Sequence, residues 1–558
     1  MTDKKDNNEL VFLPLGGVGE IGMNLAMYGY GPANNREWII VDCGVTFPGP
    51  DLPGVDLVLP DIRFIEANRA AVKGMIITHA HEDHYGAVMD IWPRIKCPLY
   101  VTQFTAGLLE AKHKSDGNGK EMPVTLYRPG ETFQVGKFSV EAIAVTHSIP
   151  EPVSLALTTP LGTIIHTGDW KIDPAPSMGP LTNEARFREL GDKGVIALMC
   201  DSTNANREGD SPSEQDVGKN LTALIENAAG RVAITSFSSN VGRIKSIAIA
   251  ARDAGRSVML LGRSMKRMVE VATGVGLLDG IPEFVSEEDF ASIPRKNLVI
   301  ILTGSQGESR AALAKIANDE MRGVALTAGD TVVFSSRTIP GNERPIIDIK
   351  NKLIDRGIEI ITDDMQLVHV SGHPRRNELK RMYAWTRPRI LVPVHGEAAH
   401  LVAQGALGRM EGIPEVAQVR NGDVLRLAPG PAEVIDEAPF GRIYKDGKLI
   451  GDFDEVGISE RRKLSFAGHV AIAVLLDSKY EITGESELES IGLPQFDKEG
   501  EEIDDKLFDA ALSAIDSIPR GRRKDLDMVR EAVRRAVRST CDELWGKKPV
   551  VTVFLNQI

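Results

Sequence analysis

Seven short apolar runs between residues 10 and 203 each end on polar residues: "LVFLPLGG", "EWIIVDCG", "GMIITHAH", "CPLYVT", "FSVEAIAVTH", "GTIIHTGD" and "VIALMCDST". Each is short for a globular helix and rich in β-branched residues, so each reads as a strand closed by turn residues. A chain that repeats this unit must build sheets, and the sheets must present their strand ends as a set of loops. Rigid strands that carry reactive side chains at their tips hold a site in place. The histidines and aspartates of this region sit at such tips.

The densest tip is "THAHEDHYGA", residues 78–87. His79 and His81 are two apart, and on extended chain such residues point the same way, so two imidazoles can converge on one ion. Asp83 and His84 lie just past the tip and can serve a second ion. Without a cation, so many titratable groups would repel one another and be costly to desolvate. Later tips add His147 in "AVTHSIP", Asp169 in "HTGDWK" and His395 in "VPVHGE". Together these residues suffice for two divalent cations that share one carboxylate. Imidazole and carboxylate suit Zn²⁺ best, with Mn²⁺ as the other candidate. Two such ions can activate water and polarise a substrate oxygen, and Asp83 is placed to orient or deprotonate that nucleophile. Asp42, at the end of "IIVDCG", is expected to fix a ligand histidine from behind. The ligands alone leave the substrate open among a phosphodiester, a thioester and a lactam.

From about residue 220 helical and strand patterns alternate, as in βα units of a mostly parallel sheet. After about 350, "LVHVSGHP" and "RILVPVHGE" again put histidines at strand ends. The simplest topology inserts one domain into another, and 558 residues exceed a single core. Residues 1–220 and 351–430 are expected to form one domain interrupted by 221–350. Residues 431–460, rich in Gly, Pro and Asp, are expected to be a linker. A small α/β domain, 461–558, should follow.

The four cysteines are far apart, the N-terminal stretch is polar, and no apolar run approaches a membrane span. A cytoplasmic protein with no membrane association is expected. The net charge of −13 excludes a wholly basic surface but leaves room for a local basic groove. The run "SGHPRRNELKRMYAWTRPR" (371–389) carries six Lys/Arg against one acid, and Arg256, Arg263, Lys266 and Arg267 add more. Hydroxyl- and glycine-rich strand ends at 235–243, 302–310, 334–343 and 369–373 can bind phosphate without reading bases. Tyr383 and Trp385 could stack on bases, but beside a strand they suit a core better. The basic run in 519–539 reads as a solvated helix face.

"THAHEDHYGA" resembles the H-x-H-x-D-H signature of the metallo-β-lactamase superfamily. "CDSTN", "VSGHP" and "VPVHGE" look like the acidic and histidine motifs of its β-CASP branch, which consists of nucleases. From residue 10 to the end the chain is similar to the bacterial ribonuclease J family. The resemblance implies an α/β fold: a metallo-β-lactamase αββα sandwich, an inserted β-CASP α/β domain and a small C-terminal α/β domain. It implies two divalent cations per subunit, one on His79, His81, His147 and Asp169, the other on Asp83, His84, Asp169 and His395. It implies that His373 contacts the scissile phosphate as general acid with Asp201 orienting it. Substrate contacts would fall on Ser238, Ser239 and Asn240 and on His369, Val370, Ser371, Gly372 and His373. It further implies 5′→3′ exonuclease action preferring a 5′-monophosphate, together with endonuclease action, on single-stranded RNA in mRNA decay and ribosomal RNA maturation. A homodimer or homotetramer built through the C-terminal domain, and partners in an RNA-degradation complex, follow from the same likeness. Rival readings are a small-molecule hydrolase, a DNA nuclease and a non-catalytic RNA-binding subunit. Respectively, the inserted domain, a histidine at 395 and the complete ligand set oppose them.

Overall fold

The computed structural model describes residues 8–116 and 122–558. They divide into two compact units, one of residues up to Thr46 plus Val58–Arg442, the other of Phe47–Leu57 and Ile443–Ile558. Among the described residues no helix is long and apolar enough to cross a membrane.

The first unit is built on two mixed sheets. One runs in the order Glu433–Glu437, Asp423–Ala428, Asn8–Gly16, Leu25–Pro32, Glu37–Val41, Val72–Ile76, Leu99–Val101, Val124–Leu126. The other runs Glu415–Val416, Ile390–Val394, Val195–Asp201, Gly162–His166, Val153–Thr159, Phe138–Ala144, Thr132–Val135. Alternate residues of each point inward, so Phe12, Tyr28 and Ile39 meet Val140, Leu155 and Ile390 in one buried cluster. The outer faces are apolar too, because helices cover them. Against the second sheet, Phe187 of Glu184–Lys193 stacks on Trp385 of Arg376–Thr386 at 6.4 Å, and Trp170 and Tyr383 are buried beside them. Tyr383 and Trp385 therefore serve packing, not base stacking. Against the first sheet, Trp38 meets Phe64 edge-on at 5.3 Å. The result is an αββα sandwich.

Between the strands Val195–Asp201 and Ile390–Val394 the chain builds a third sheet. Its six strands are Phe284–Val285, Ser257–Leu261, Leu298–Leu302, Val232–Thr235, Thr331–Phe334 and Glu359–Ile361, all parallel. The last of them lies beyond the expected end of the insert at 350. Parallel strands end together, so the tips at Ser236, Thr303 and Ser335 share one edge. One fully buried cation laces this edge. Arg243, in helix Val241–Asp253, forks onto both carboxylate oxygens of Glu214, with Nη2 at 2.9 Å from Oε2. Its Nη1 donates to Ser335 Oγ at 2.5 Å and Val368 O at 3.0 Å. Burial disfavours the Glu214 charge, yet Arg243 more than offsets this and holds the carboxyl below its usual range. Arg243→Met strands that carboxylate and is expected to cost about 3–5 kcal/mol, whereas the double change with Glu214→Leu costs less; thermal melts of both compare them. Because the folded-state pKa is depressed, the pair's contribution is complete above the ordinary Glu value. It fades as pH falls through the depressed one.

In the second unit, His469–Leu476 pairs antiparallel with Glu487–Ile491 and parallel with Val550–Gln557. Val470, Ile472, Val474 and Leu476 bury one face against helices Ile503–Asp516 and Leu526–Trp545. Val529, Val533, Val537 and Cys541 recur every four residues and form the longer helix's apolar stripe. Its arginines lie outside that stripe, where Arg530 and Arg534 pair with Asp527 and Glu531. Residues 431–460, expected as a linker, instead carry the strands Glu433–Glu437, Arg442–Asp446 and Leu449–Gly451. Their glycines and aspartates supply the turns between very short strands; Gly447, at φ 58°, closes one hairpin.

Candidate metal centre

The strand ends of both sandwich sheets meet where the sequence places its histidines. Val72–Ile76 leads into His79, His81, Asp83 and His84; Phe138–Ala144 leads to His147; Gly162–His166 leads to Asp169; Ile390–Val394 leads to His395. Ligand atoms of His79, His81, His147 and Asp169 lie within 4.8 Å of one another. So do those of Asp83, His84, Asp169 and His395, and Asp169 belongs to both groups.

Hydrogen bonds on the outer side of the site set the direction of the rings. His79 Nδ1 is 3.0 Å from Thr78 Oγ1, His84 Nδ1 2.7 Å from Asp42 Oδ2, His147 Nδ1 2.7 Å from Gly372 O, and His395 Nδ1 2.9 Å from Asn24 Oδ1. Thr78 Oγ1 donates to Asp42, so it accepts from His79. Each Nδ1 thus donates outward, and each Nε2 faces inward. There His79 Nε2 and His147 Nε2 face His81 Nδ1 at 3.2 and 3.0 Å. One proton on His81 can satisfy one of these contacts, not both. His84 Nε2 is 3.2 Å from Asp169 Oδ1, a buried oxygen with no hydrogen bond among the described residues. His395 Nε2 is 3.5 Å from Asp169 Oδ2. Lone pairs facing lone pairs call for positive charge, so the donor set fits divalent cations.

The electrostatics agree. Burial and neighbouring imidazoles push His79 and His147 well below the usual histidine range, and burial brings His81 down to about 4. These rings are neutral, as ligands must be. Burial opposes ionisation of Asp169, but His395, His84 and His373 hold it well below the usual carboxylate range. Burial likewise opposes charge on His84, yet Asp169, Asp83 and Asp42 hold it well above its ordinary value. The carboxylates demand a cation at that ring.

Asp42 does stand behind His84, and it also accepts from Thr78 N at 2.8 Å. Its φ is 64° and that of His395 is 50°. Such left-handed turns in non-glycine residues are uncommon and cluster at functional sites. Gly44 has to be glycine, because a Cβ there would lie 1.7 Å from Asp83 O. Sequence reasoning missed Asn24, which binds His395, donates to Asp83 O at 3.1 Å and sits 3.1 Å from His84 Nε2. An asparagine after a glycine-rich turn gives no sign of its distant partners.

His373 rims the second cluster, with Asp201, His373 and His395 forming a third close group. His373 Nδ1 is 2.8 Å from Asp201 Oδ2. Burial works against its charge, but Asp201 and then Asp169 raise its pKa to about 9. Thr167 Oγ1 accepts from Asp201 N at 3.1 Å and Gln404 Nε2 donates to Asp201 O at 2.8 Å, which fixes the acid. The remaining candidates lie on two loops. Ser238 and Ser239 are half-buried in the turn after Val232–Thr235, while Asn240 spends its carbonyl capping the next helix, accepting from Arg243 N. His369 and Ser371 are half-buried, Val370 is buried, and Gly372 uses its carbonyl on His147. The basic run is less basic than it reads: Arg376, Lys380, Arg381, Arg387 and Arg389 pair with Glu208, Glu411, Asp210, Asp192 and Glu415. Arg256 is buried on the carbonyls of Gly230 and Ala228.

Comparison with known proteins matches this architecture piece by piece. Residues 32–182 match the metallo-beta-lactamase superfamily, and 357–417 match the Zn-dependent metallo-hydrolase RNA specificity domain. Residues 229–353 match the ribonuclease J beta-CASP domain and 456–558 the ribonuclease J C-terminal domain. Ribonuclease J of Sinorhizobium meliloti is 64% identical over 100% of this chain and 99% of its own length. Those of Mycolicibacterium smegmatis and Thermus thermophilus are 36% and 34% identical, each over 98% of this chain and 96% and 95% of their own. A crystal structure of a protein of unknown function from Enterococcus faecalis shares the fold at 17% identity and TM-score 0.50, covering 75% of this chain and 100% of that one. Fold and site define a metallo-β-lactamase-superfamily hydrolase with a β-CASP insert. More narrowly, the chain belongs to the ribonuclease J family of metal-dependent RNA hydrolases.

Proposed function

We propose that this chain hydrolyses phosphodiesters of single-stranded RNA at a two-cation centre, 5′→3′ from a 5′-monophosphate end and also internally, in mRNA decay and ribosomal RNA maturation. The observation that carries the reading is the set of outward-donating imidazoles around Asp169, with the His373–Asp201 pair on its rim. His79, His81, His147 and Asp169 would hold one cation, and Asp83, His84, Asp169 and His395 the other. Zn²⁺ suits them best, and Mn²⁺ is the other candidate. Cations there would supply Lewis acidity to a phosphoryl oxygen and make water nucleophilic at neutral pH.

The protein's own groups manage the protons. Asp83, whose side chain is 29% exposed, orients the attacking water and takes its proton on a carboxylate oxygen. His373 donates Nδ1–H to Asp201, which leaves the Nε2 proton for the departing oxygen. As the water oxygen bonds to phosphorus, the bond to the leaving oxygen breaks and that oxygen takes the His373 proton. Backbone groups of Val370 and Gly372, with Ser238, Ser239, Asn240, His369 and Ser371, line the path of the sugar–phosphate chain. A small-molecule hydrolase would have no use for these loops.

Metal analysis joined to an assay on RNA bearing a 5′-monophosphate or a 5′-triphosphate tests cation and end preference together. About two divalent ions per chain and faster decay of the monophosphate are expected; equal decay of both ends removes the 5′-preference. The C-terminal module is proposed to carry self-association into a dimer or tetramer. Sedimentation of the full chain and of a variant lacking 461–558 checks this, with the shortened chain expected to be monomeric.

A further inference from the structure

Of the six basic side chains in 371–389, Arg375 forms no ion pair among the described residues, and its buried Nε has no hydrogen-bond partner there. Two more arginines stand on neighbouring segments, and the charges of Arg337 and Arg375 both act on Arg207. Arg207 stands on the loop after Asp201, where its side chain has no ion pair among the described residues; Arg337 stands on the tip after Thr331–Phe334. Four hydrogen bonds hold the segments together. Asn204 Nδ2 donates to Ser371 Oγ at 2.9 Å and to His373 O at 3.2 Å. Arg376 N donates to Arg207 O at 3.0 Å. Ser335 Oγ donates to Val368 O at 2.7 Å, which brings the tip carrying Arg337 beside His369. All three arginines are half-buried.

Their counter-charges are spent elsewhere. Glu208 and Asp210, on the same loop as Arg207, are taken by Arg376 and Arg381. Glu378 receives the backbone N–H of Arg375, not its guanidinium. Lys171 and Arg243, the other cations nearby, are neutralised by Asp173 and Glu214. Among the described residues the one ion pair these three guanidiniums form is that of Arg337 with Asp363, at 4.0 Å. Burial and then the charges of Arg337 and Arg375 lower the Arg207 pKa from its ordinary value. His369, driven well below the usual range by burial and then by Arg243 and Arg337, is neutral and offers no relief.

Three like charges held together against repulsion need an anion, and planar guanidiniums match phosphate oxygens. We propose that Arg207, Arg337 and Arg375 form a phosphate-binding site that grips the single-stranded RNA chain where it passes the His369–His373 loop. This rests on the RNA-hydrolase reading above and adds to it the residues that hold substrate by charge.

The test is binding of a phosphorothioate-linked, 3′-fluorescein-labelled oligoribonucleotide to the metal-loaded full chain, read by anisotropy from 50 to 300 mM salt. Arg207→Gln, Arg337→Gln and Arg375→Gln should each weaken binding about tenfold and lower the slope of log K against log salt by about 0.7, the single-strand increment per phosphate contact. Lysine at the same positions should restore the slope while affinity stays reduced, since an ammonium keeps the charge but loses the fork; a merely structural arginine would not behave so. Unchanged affinity and slope in the triple variant, with an unchanged melting temperature, would overturn the site. Wild-type chain that binds this oligonucleotide in an arginine-dependent way but cleaves no RNA would sink the hydrolase reading and leave the site standing.

Discussion

Asp169→Asn is expected to lose both cations and to slow RNA hydrolysis by roughly 10⁴-fold or more, because the water nucleophile and the polarised phosphoryl group both depend on them. Asp169 is the shared member of both ligand groups, so no other single carboxylate should have this reach. Asparagine keeps the shape of a side chain that is 2% exposed. What it removes is the negative charge that the two ligand groups share. Chelation gives a second readout. Cations that bind only the folded chain stabilise it by about 2.7 kcal/mol at a hundred times their Kd. A chelator should therefore lower the melting temperature of the wild type and leave Asp169→Asn unmoved. Asp83→Ala touches one group alone and should retain about half the metal. Full metal content in Asp169→Asn would show that the carboxylate is not shared.

Much of this site is legible in the amino-acid sequence, for a physical reason. Histidines crowded at one strand end make no sense for packing, and the i, i+2 spacing of His79 and His81 already fixes a common direction. Asp42 is legible only in part: an aspartate commonly ends a strand at a turn, and the fold is what brings it to His84. Asn24 and Thr78 are not legible. Their role is to receive or relay one hydrogen bond from a ring on another segment or on the next residue, and nothing local encodes that. Asn240 shows what a loop pattern leaves out: a run of small polar residues reads as a phosphate cradle, and the sequence gives no sign that the Asn240 side-chain carbonyl also caps the next helix. The basic stretch 371–389 misleads. Charge along a sequence says nothing of the acids brought in from other loops, and after those pairings Arg375 is the member left to matter. Residues 431–460 fail for a related reason, since the residues that make a linker flexible also make the turns of short strands.

His373→Ala tests the division of labour between cation centre and protein acid. The ring holds Asp201 through Nδ1 at 2.8 Å, so its exchangeable proton sits on Nε2 at the rim. If that proton goes to the leaving oxygen, removing the ring should lower kcat on RNA by about 10²–10⁴-fold, the range for a positioned acid. Metal content should hold, because His373 belongs to neither group of proposed ligands. The discriminating substrate is bis(p-nitrophenyl) phosphate. A nitrophenolate departs without a proton, so this ester gains little from an acid, and His373→Ala should slow it far less than it slows RNA. Asp201→Asn should fall on the same side of that comparison with a smaller loss, since the ring remains but its orientation and its raised pKa are weakened. Equal losses on both substrates would mean that His373 acts by holding the phosphate and not by protonating the leaving group. The 2.8 Å pair would then serve to aim a hydrogen-bond donor at a phosphoryl oxygen.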